Sequence, residues 1–88
     1  MVLREKEVRD DGTILEMVIW QLALAVPGSA HGFKYRLYFG RGAQTLVRYD
    51  NERGKGDHRH VGGKEWPYNF MSLEALIEDF FADVEHST

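Results

Sequence analysis

The stretch that decides the fold is FKYRLYFGRGAQTLVRYD, residues 33–50. From Phe33 to Phe39, large apolar or aromatic side chains alternate with mostly basic ones, which is the period-two pattern of a half-buried β-strand. Gly40-Arg41-Gly42 then predicts a hairpin turn, because glycine supplies the backbone angles that tight turns need. The chain returns as a second strand from Ala43 to Asp50, so this stretch predicts an antiparallel β-hairpin.

The register of this hairpin follows from the length of its loop. A three-residue loop places Val47 and Tyr49 on the core face and sets Arg48 opposite Lys34 on the other face. Like charges that face each other across two strands are mildly destabilising. A sequence that keeps them is therefore either well solvated there or presents the charges to a ligand.

Upstream of the hairpin, the pattern predicts two more strands. Val2 to Arg9 alternates weakly, as an edge strand does, and Asp10-Asp11-Gly12 is a turn signal. Thr13 to Leu24 is apolar on both faces, which is typical of a strand inside a sheet whose second face meets a helix or a partner. A helix is the competing prediction for this run, but the turns on either side favour a strand. Dimerisation through this face would make a second copy of the chain a partner.

Downstream of the hairpin, the sequence becomes polar before it ends in a helix. Asn51 to Asp57 reads as a loop, and short strands are candidates at His58 to Val61 and at Lys64 to Phe70, the latter limited by Pro67. The helix runs from Ser72, as N-cap, to Glu85. Its apolar residues recur at the helical spacing i, i+3, i+4, i+7: Leu73, Leu76, Ile77, Phe80, Phe81 and Val84. Residues 1–88 are thus expected to form one α+β domain, an antiparallel β-sheet of four to five strands packed by one C-terminal α-helix.

Composition indicates the compartment. The 88 residues include no cysteine, which excludes disulfides and thiolate metal sites. Residues 1–11 are charged and lack the apolar segment of a signal peptide. The longest apolar run, Ile14 to Val26, is interrupted by Glu16 and Gln21 and is too short to span a bilayer. We therefore expect a soluble, cytoplasmic protein that does not enter a membrane.

Charge is distributed unevenly along the chain. The net charge is −3, but residues 31–64 hold eight Lys or Arg against three acids, a net charge of +5. Residues 72–88 hold five acids and no Lys or Arg. The basic middle suggests an anionic ligand. The alternative is that the acidic helix neutralises the basic segment within the same molecule.

The segment Arg48 to His60 contains ten ionisable side chains in thirteen residues. His58 and His60 are two apart, so on a strand both imidazoles lie on one face. The glycines at 54 and 56 allow a ligand to approach the backbone closely or the backbone to adopt positive φ angles. This segment is the expected working surface.

Cleavage of RNA without a metal is the first chemistry that this segment supports. Such cleavage needs a base, an acid and cations around the phosphate, and a histidine pair that titrates near neutrality supplies acid and base. His58 and His60 would share these roles, and Asp57 or Asp50 would orient a histidine. Cationic or aromatic side chains would bind the substrate: Lys34, Arg36, Arg48, Tyr49, Arg53, Lys55 and Arg59, with Tyr68 as a second candidate for stacking a base.

Two other functions compete with cleavage. His58 and His60, with Asp57, Asp50 or His31, have ligand types that suit zinc, but the neighbouring cations would repel a dication, and we expect neither a metal nor a cofactor. A regulatory module that binds nucleic-acid phosphates without catalysing a reaction needs only the basic side chains and the glycine-rich loop. Elsewhere His31 reads as a turn residue, and Trp20, Phe33 and Trp66 read as core.

The motif Tyr49-Asp50-Asn51, followed by His58-Arg59-His60 and a closing helix, resembles the TumE-like proteins. These are small bacterial toxins that are paired with a helix-turn-helix antitoxin in toxin–antitoxin operons. The resemblance covers roughly the second half of the chain. It implies a short antiparallel sheet, a toxin function and an antitoxin partner. Together with the histidine pair, it leads to the hypothesis of a toxin that acts as a ribonuclease, with a non-enzymatic binding module as the alternative.

Overall fold

A computed structural model describes residues 2–25 and 27–87 of the chain. Val26, the last residue of the long apolar run, lies outside the described residues. The structure consists of six strands followed by one helix. Their bounds are β1 Leu3–Val8, β2 Thr13–Gln21, β3 Phe33–Arg41, β4 Gln44–Glu52, β5 Gly56–Val61, β6 Lys64–Pro67 and α1 Leu73–His86.

The strands form one antiparallel sheet in which sequence neighbours are also spatial neighbours, in the order β1-β2-β3-β4-β5-β6. The predicted antiparallel sheet and C-terminal helix are therefore confirmed. The predicted count of four to five strands is wrong. Both short candidate strands form, as β5 and β6, which brings the number of strands to six. In addition, much of the segment read as a polar loop is strand, because β4 continues to Glu52 and β5 already begins at Gly56. The second of the short candidate strands, predicted from Lys64 to Phe70, ends at Pro67. This end is expected, because proline has no backbone N–H to donate to the neighbouring strand.

The register of the β3–β4 hairpin also differs from the prediction. The last pair is Arg41 with Gln44, which leaves a two-residue turn, and a β-bulge shifts the register between Phe39 and Gly40. Arg48 consequently faces Tyr38 instead of Lys34. The two like charges do not meet. On the same face, Asp50 pairs with a base, Arg36.

The core lies between α1 and one face of the sheet. The side chain of Ser72 accepts a hydrogen bond from the N–H of Ala75 at 3.0 Å, which confirms Ser72 as the N-cap. Leu76, Phe80 and Val84 of α1 are buried. They pack against alternate residues of the central strands: Leu15, Met17, Ile19, Tyr35, Leu37, Phe39, Val47 and Tyr49. Nowhere in the described residues is a helix long and apolar enough to cross a membrane.

None of the described residues forms a helix over the other face of the sheet, and we call that face the open face. β2 is a strand, as predicted, but it ends at Gln21 instead of Leu24. Ile14 and Val18 on its open side are only partly buried. The side chain of Trp20 is 42% exposed, so the placement of Trp20 in the core is wrong. The open face therefore combines an apolar strip on β2 with the charged side chains of β3, β4 and β5.

Candidate functional site

His58 and His60 both lie on the open face. They belong to β5, where His58 faces Asp50 and His60 faces Arg48 across the β4–β5 ladder. Residues two apart on a strand point to the same side, and Asn51, between Asp50 and Glu52 on β4, is buried toward the helix. The expectation that the two imidazoles share a face is thus met by the strand geometry.

The nitrogen atoms of His58 have distinct roles. Nε2 lies 2.7 Å from the carbonyl oxygen of Lys55, and a carbonyl can only accept, so Nε2 carries the proton. Nδ1 is then the nitrogen that gains and loses the second proton. It lies 3.5 Å from Oε1 of Glu65, a carboxylate that can pair with the imidazolium form.

His60 and Arg48 each keep a polar atom without a partner. Nδ1 of His60 and Nε of Arg48 are buried, and no hydrogen-bond partner for either lies among the described residues. Nε of Arg48 comes within 3.4 Å of Oδ2 of Asp50, but the geometry is that of an ion pair and not of a hydrogen bond. Buried polar groups in proteins are nearly always satisfied. These two unsatisfied nitrogen atoms are the feature that most strongly marks this part of the open face as a candidate ligand site.

Lys34 and Arg36 extend the same surface onto β3. Lys34 donates to the backbone carbonyl of Asn51 at 2.6 Å, a contact that fixes the ammonium group without cancelling its charge. Arg36 lies 5.0 Å from the ring of Tyr38 and 3.4 Å from a carboxylate oxygen of Glu16. With Arg48, these bases form a cationic strip beside the two histidines.

Arg53 and Lys55 occupy the turn between β4 and β5. Lys55 pairs with Glu52 at 3.4 Å. Gly54 and Gly56 both have positive φ, 81° and 78°, as their residue type allows. At Gly56 the backbone approaches another part of the same chain and not a ligand. A Cβ on Gly56 would lie 2.9 Å from the carbonyl oxygen of Gly28.

Asp57 lies on the helix side and not beside His58. Its carboxylate accepts hydrogen bonds from Ser29 at 2.5 Å and from Tyr35 at 2.8 Å, and it contacts Nε2 of His31 at 2.6 Å. Asp57 was predicted to orient a histidine, and the histidine that it holds is His31. Sequence reasoning missed this cluster, because Asp57 is separated from its partners by 22 to 28 positions in sequence.

His31 has no free nitrogen for acid–base chemistry. Its Nδ1 accepts the backbone N–H of Phe33 at 3.2 Å, so Nε2 carries the proton and donates to Asp57. Its ring stacks on Phe70 at a centroid distance of 3.8 Å. Burial, and the hydrogen bond to Asp57, raise the pKa of Tyr35 far above its ordinary value. We therefore assign a structural role to this cluster: it fastens the segment before β3 to β5.

Arg59 and Tyr49, predicted to bind substrate, also face the helix. Arg59 forms a bidentate pair with Asp83 of α1, at 2.8 and 2.7 Å, and this hydrogen bonding raises the pKa of its guanidinium. Tyr49 is fully buried and its hydroxyl bonds to Asp83. The hydroxyl of Tyr68 bonds to Asp79 of the same helix at 2.6 Å. None of these three side chains can serve the open face as the fold stands.

The acidic helix does not neutralise the cationic strip. α1 lies on the far side of the sheet, where Asp83 pairs with Arg59. Among the described residues, a zinc site from the predicted ligand types is not assembled either. Asp57 and His31 lie across the sheet from His58 and His60, and Asp50, which shares their face, forms an ion pair with Arg48. Within residues 2–25 and 27–87, no group of three or more His, Cys, Asp or Glu side chains is placed to hold a metal ion.

Comparison with protein-family models identifies a family for the chain. The family model described as Toxin TumE matches residues 2–88. No curated protein and no solved structure shows significant similarity to the chain.

Proposed function

Because the chain belongs to the TumE toxin family, we propose that it is the toxin of a toxin–antitoxin pair and that it cleaves RNA without a metal. The observation that best supports cleavage is the shared placement of His58 and His60 on the open face beside Arg48, whose buried Nε has no hydrogen-bond partner among the described residues. The cytoplasm, where RNA is abundant, is the proposed place of action. A helix-turn-helix antitoxin is the proposed partner that neutralises the toxin.

The proposed reaction is transfer of the phosphate to the neighbouring 2′-hydroxyl. A base removes the proton of the 2′-hydroxyl, its oxygen attacks phosphorus, and the bond to the 5′-oxygen breaks as an acid protonates that oxygen. Neighbouring positions on one strand face lie about 7 Å apart. Two histidines at that separation reach opposite sides of one phosphate.

The roles of the two histidines follow from their contacts. Nδ1 of His58 is the general base, because Nε2 is committed to the Lys55 carbonyl and Glu65 is placed to stabilise the imidazolium that forms. His60 is the general acid, and because its Nδ1 is buried, the nitrogen that would deliver the proton is Nε2.

The cationic strip stabilises the charge of the transition state. Arg48 faces His60 across the ladder, so its guanidinium is the nearest cation to the proposed scissile phosphate. Arg36 and Lys34 continue the strip along the backbone of the substrate. Asp50 faces His58 and pairs with Arg48, so its proposed role is to hold that guanidinium in place. Charge-assisted contacts of this kind are roughly twice as strong as neutral hydrogen bonds.

Induced expression in a bacterium tests the proposal. Wild type is compared with the His58→Ala, His60→Ala double variant at equal soluble protein, and growth and total RNA are followed. We expect arrest and RNA cleavage with wild type, and neither with the double variant. Cleavage by purified wild type should persist in EDTA. RNA that stays intact while the protein binds it in a salt-dependent way would instead identify a binding module without turnover.

A further inference from the structure

The open face has a pocket beside the histidines, and the proposed reaction gives no role to Trp20 and Glu52 in its wall. It has a volume of about 330 Å³ and lies over β2, β3 and β4. This volume is at the lower end of the range of ligand pockets, about 300–1,000 Å³. Its wall combines an indole ring with basic and acidic side chains: Trp20, Lys34, Arg36, Arg48, Asp50 and Glu52.

Trp20 offers an unoccupied ring surface to this pocket. Trp66, the other tryptophan, has a similar exposure, 45% against 42%, but its ring lies 5.7 Å from the guanidinium of Arg59. Among the described residues, no aromatic ring or guanidinium stacks on Trp20. An exposed aromatic ring in a cationic groove is the platform on which single-stranded nucleic acids stack their bases.

The acids of the pocket restrict which base fits. A carboxylate is an acceptor only. The ion pair of Glu52 with Lys55, at 3.4 Å, is formed by two largely exposed side chains and is therefore weak, so the carboxylate can turn toward a ligand. Guanine is the base whose Watson–Crick edge offers two adjacent donors, N1–H and the 2-amino group. One carboxylate can accept both, whereas the other three bases offer it a single donor beside an acceptor.

We propose that this pocket binds one unstacked nucleobase of the substrate, with guanine preferred. Trp20 is the stacking platform, Glu52 reads the two donors, and Lys34 binds the adjoining phosphate. The inference rests on the proposed function in so far as the substrate is RNA. Arg48 both lines the pocket and faces His60, so the bound guanine places its own phosphate next to the histidine pair. Cleavage is then expected beside guanines in single-stranded RNA.

The two tryptophans make a matched pair of reporters. Trp66→Phe leaves Trp20 as the only indole, and Trp20→Phe leaves Trp66, which lies on the helix side of the sheet. Each variant is titrated with GMP, AMP, CMP and UMP while the tryptophan emission is measured. We expect saturable quenching of Trp66→Phe, with GMP binding about ten-fold tighter than the other three, since a bidentate base contact discriminates by about 1–3 kcal/mol. Trp20→Phe should show no saturable change.

Glu52→Gln, introduced together with Trp66→Phe, tests whether the Glu52 carboxylate recognises guanine. A carboxamide offers one donor and one acceptor, so the preference for GMP should fall to within about two-fold. Equal quenching by all four nucleotides, quenching of both tryptophans alike, or an unchanged preference in Glu52→Gln would overturn the inference. The titration requires no catalysis. Guanine binding by a protein that leaves RNA intact would refute the proposed reaction alone, and RNA cleavage without guanine binding would refute the pocket alone.

Discussion

Arg48 and Arg59 lie on neighbouring strands but on opposite faces of the sheet, and their surroundings differ. Arg59 makes two short hydrogen bonds to Asp83 and lies between the rings of Tyr49 and Trp66. Arg48 has an ion-pair contact with Asp50 and a buried Nε without a hydrogen-bond partner. A similar contrast separates His31 from His60. Both ring nitrogens of His31 are engaged, whereas Nδ1 of His60 has no hydrogen-bond partner among the described residues.

The contrast shows how one chain divides its polar residues between stability and function. A buried polar group that finds partners stabilises the fold, and one that lacks partners costs about 1–3 kcal/mol. The helix side satisfies its polar groups through α1 and the Asp57 cluster. The open face leaves Nε of Arg48 and Nδ1 of His60 without a hydrogen-bond partner among the described residues. Such groups are rare in native structures, and a functional role is one explanation for them. The faces therefore predict different outcomes for matched substitutions.

The largest difference is expected between Arg48→Gln and Arg59→Gln. Arg48→Gln should lower the rate of RNA cleavage by about 10²–10³-fold, the usual loss for one group that stabilises transition-state charge. Its free energy of unfolding should change by less than about 0.5 kcal/mol. Arg59→Gln should lower the free energy of unfolding by about 1 kcal/mol, a modest value because the side chain is partly exposed, and leave the rate per folded molecule unchanged.

Initial rates on an RNA oligonucleotide and urea denaturation measure the two quantities. A loss of activity in Arg59→Gln that matches the loss in Arg48→Gln, at equal folded fraction, would show that the faces are not separate in function.

Asn51→Leu tests the helix side at its most buried polar group. The Asn51 amide donates to the carbonyl of Phe33 at 2.7 Å and accepts the N–H of Tyr35 at 2.9 Å, so its side chain completes the ladder of β3. Leucine would leave both backbone groups unsatisfied, and the free energy of unfolding should fall by about 3 kcal/mol. Asp50→Asn, one position away on the open face, is the control and should change it by less than about 0.5 kcal/mol. Similar losses of unfolding free energy in both variants would show that the two faces do not differ in how their polar groups stabilise the fold.

Period-two alternation explains what sequence reasoning could recover. It places His58 and His60 together, and the i, i+3, i+4 spacing identifies α1. The same alternation also assigns Asp57 and Arg59 to the opposite face. The prediction placed all four in one site because it weighed nearness in sequence above strand geometry.

The polar loop prediction failed for a different reason. Asn51 and Asp57 point toward the core, where their hydrogen-bond partners come from Phe33, Tyr35 and the segment near His31. A strand whose inward residues are polar but satisfied has no apolar alternation to detect. The hairpin register was equally hidden, because the β-bulge between Phe39 and Gly40 depends on packing.

Alkaline pH should unfold the protein through the helix side. Burial and hydrogen bonds to Asp57 and Asp83 raise the pKa of Tyr35 and of Tyr49 well above the ordinary value of about 10. Both phenols stay protonated in the fold but ionise in the unfolded chain above that pH. Their stabilisation is complete below about pH 10 and declines above it, by about 1.4 kcal/mol per pH unit for each tyrosine.

Urea denaturation between pH 8 and 11, with tyrosinate absorbance at 295 nm, follows this decline. Tyr35→Phe removes one titrating phenol and should make the decline shallower, although the variant starts from a lower stability at pH 8. A free energy of unfolding that stays constant up to pH 11 would show that these hydroxyls ionise in the folded state.

The smallest effect is expected at the start of α1. Ser72→Ala removes the acceptor of the Ala75 N–H, and the free energy of unfolding should fall by about 1 kcal/mol. Ser72→Asp keeps a side-chain acceptor and should restore most of the loss. Because α1 covers only the helix side, the affinity of the folded protein for GMP should be the same in all three proteins. A GMP affinity that falls with Ser72→Ala and recovers with Ser72→Asp would show that the helix shapes the open face through the sheet.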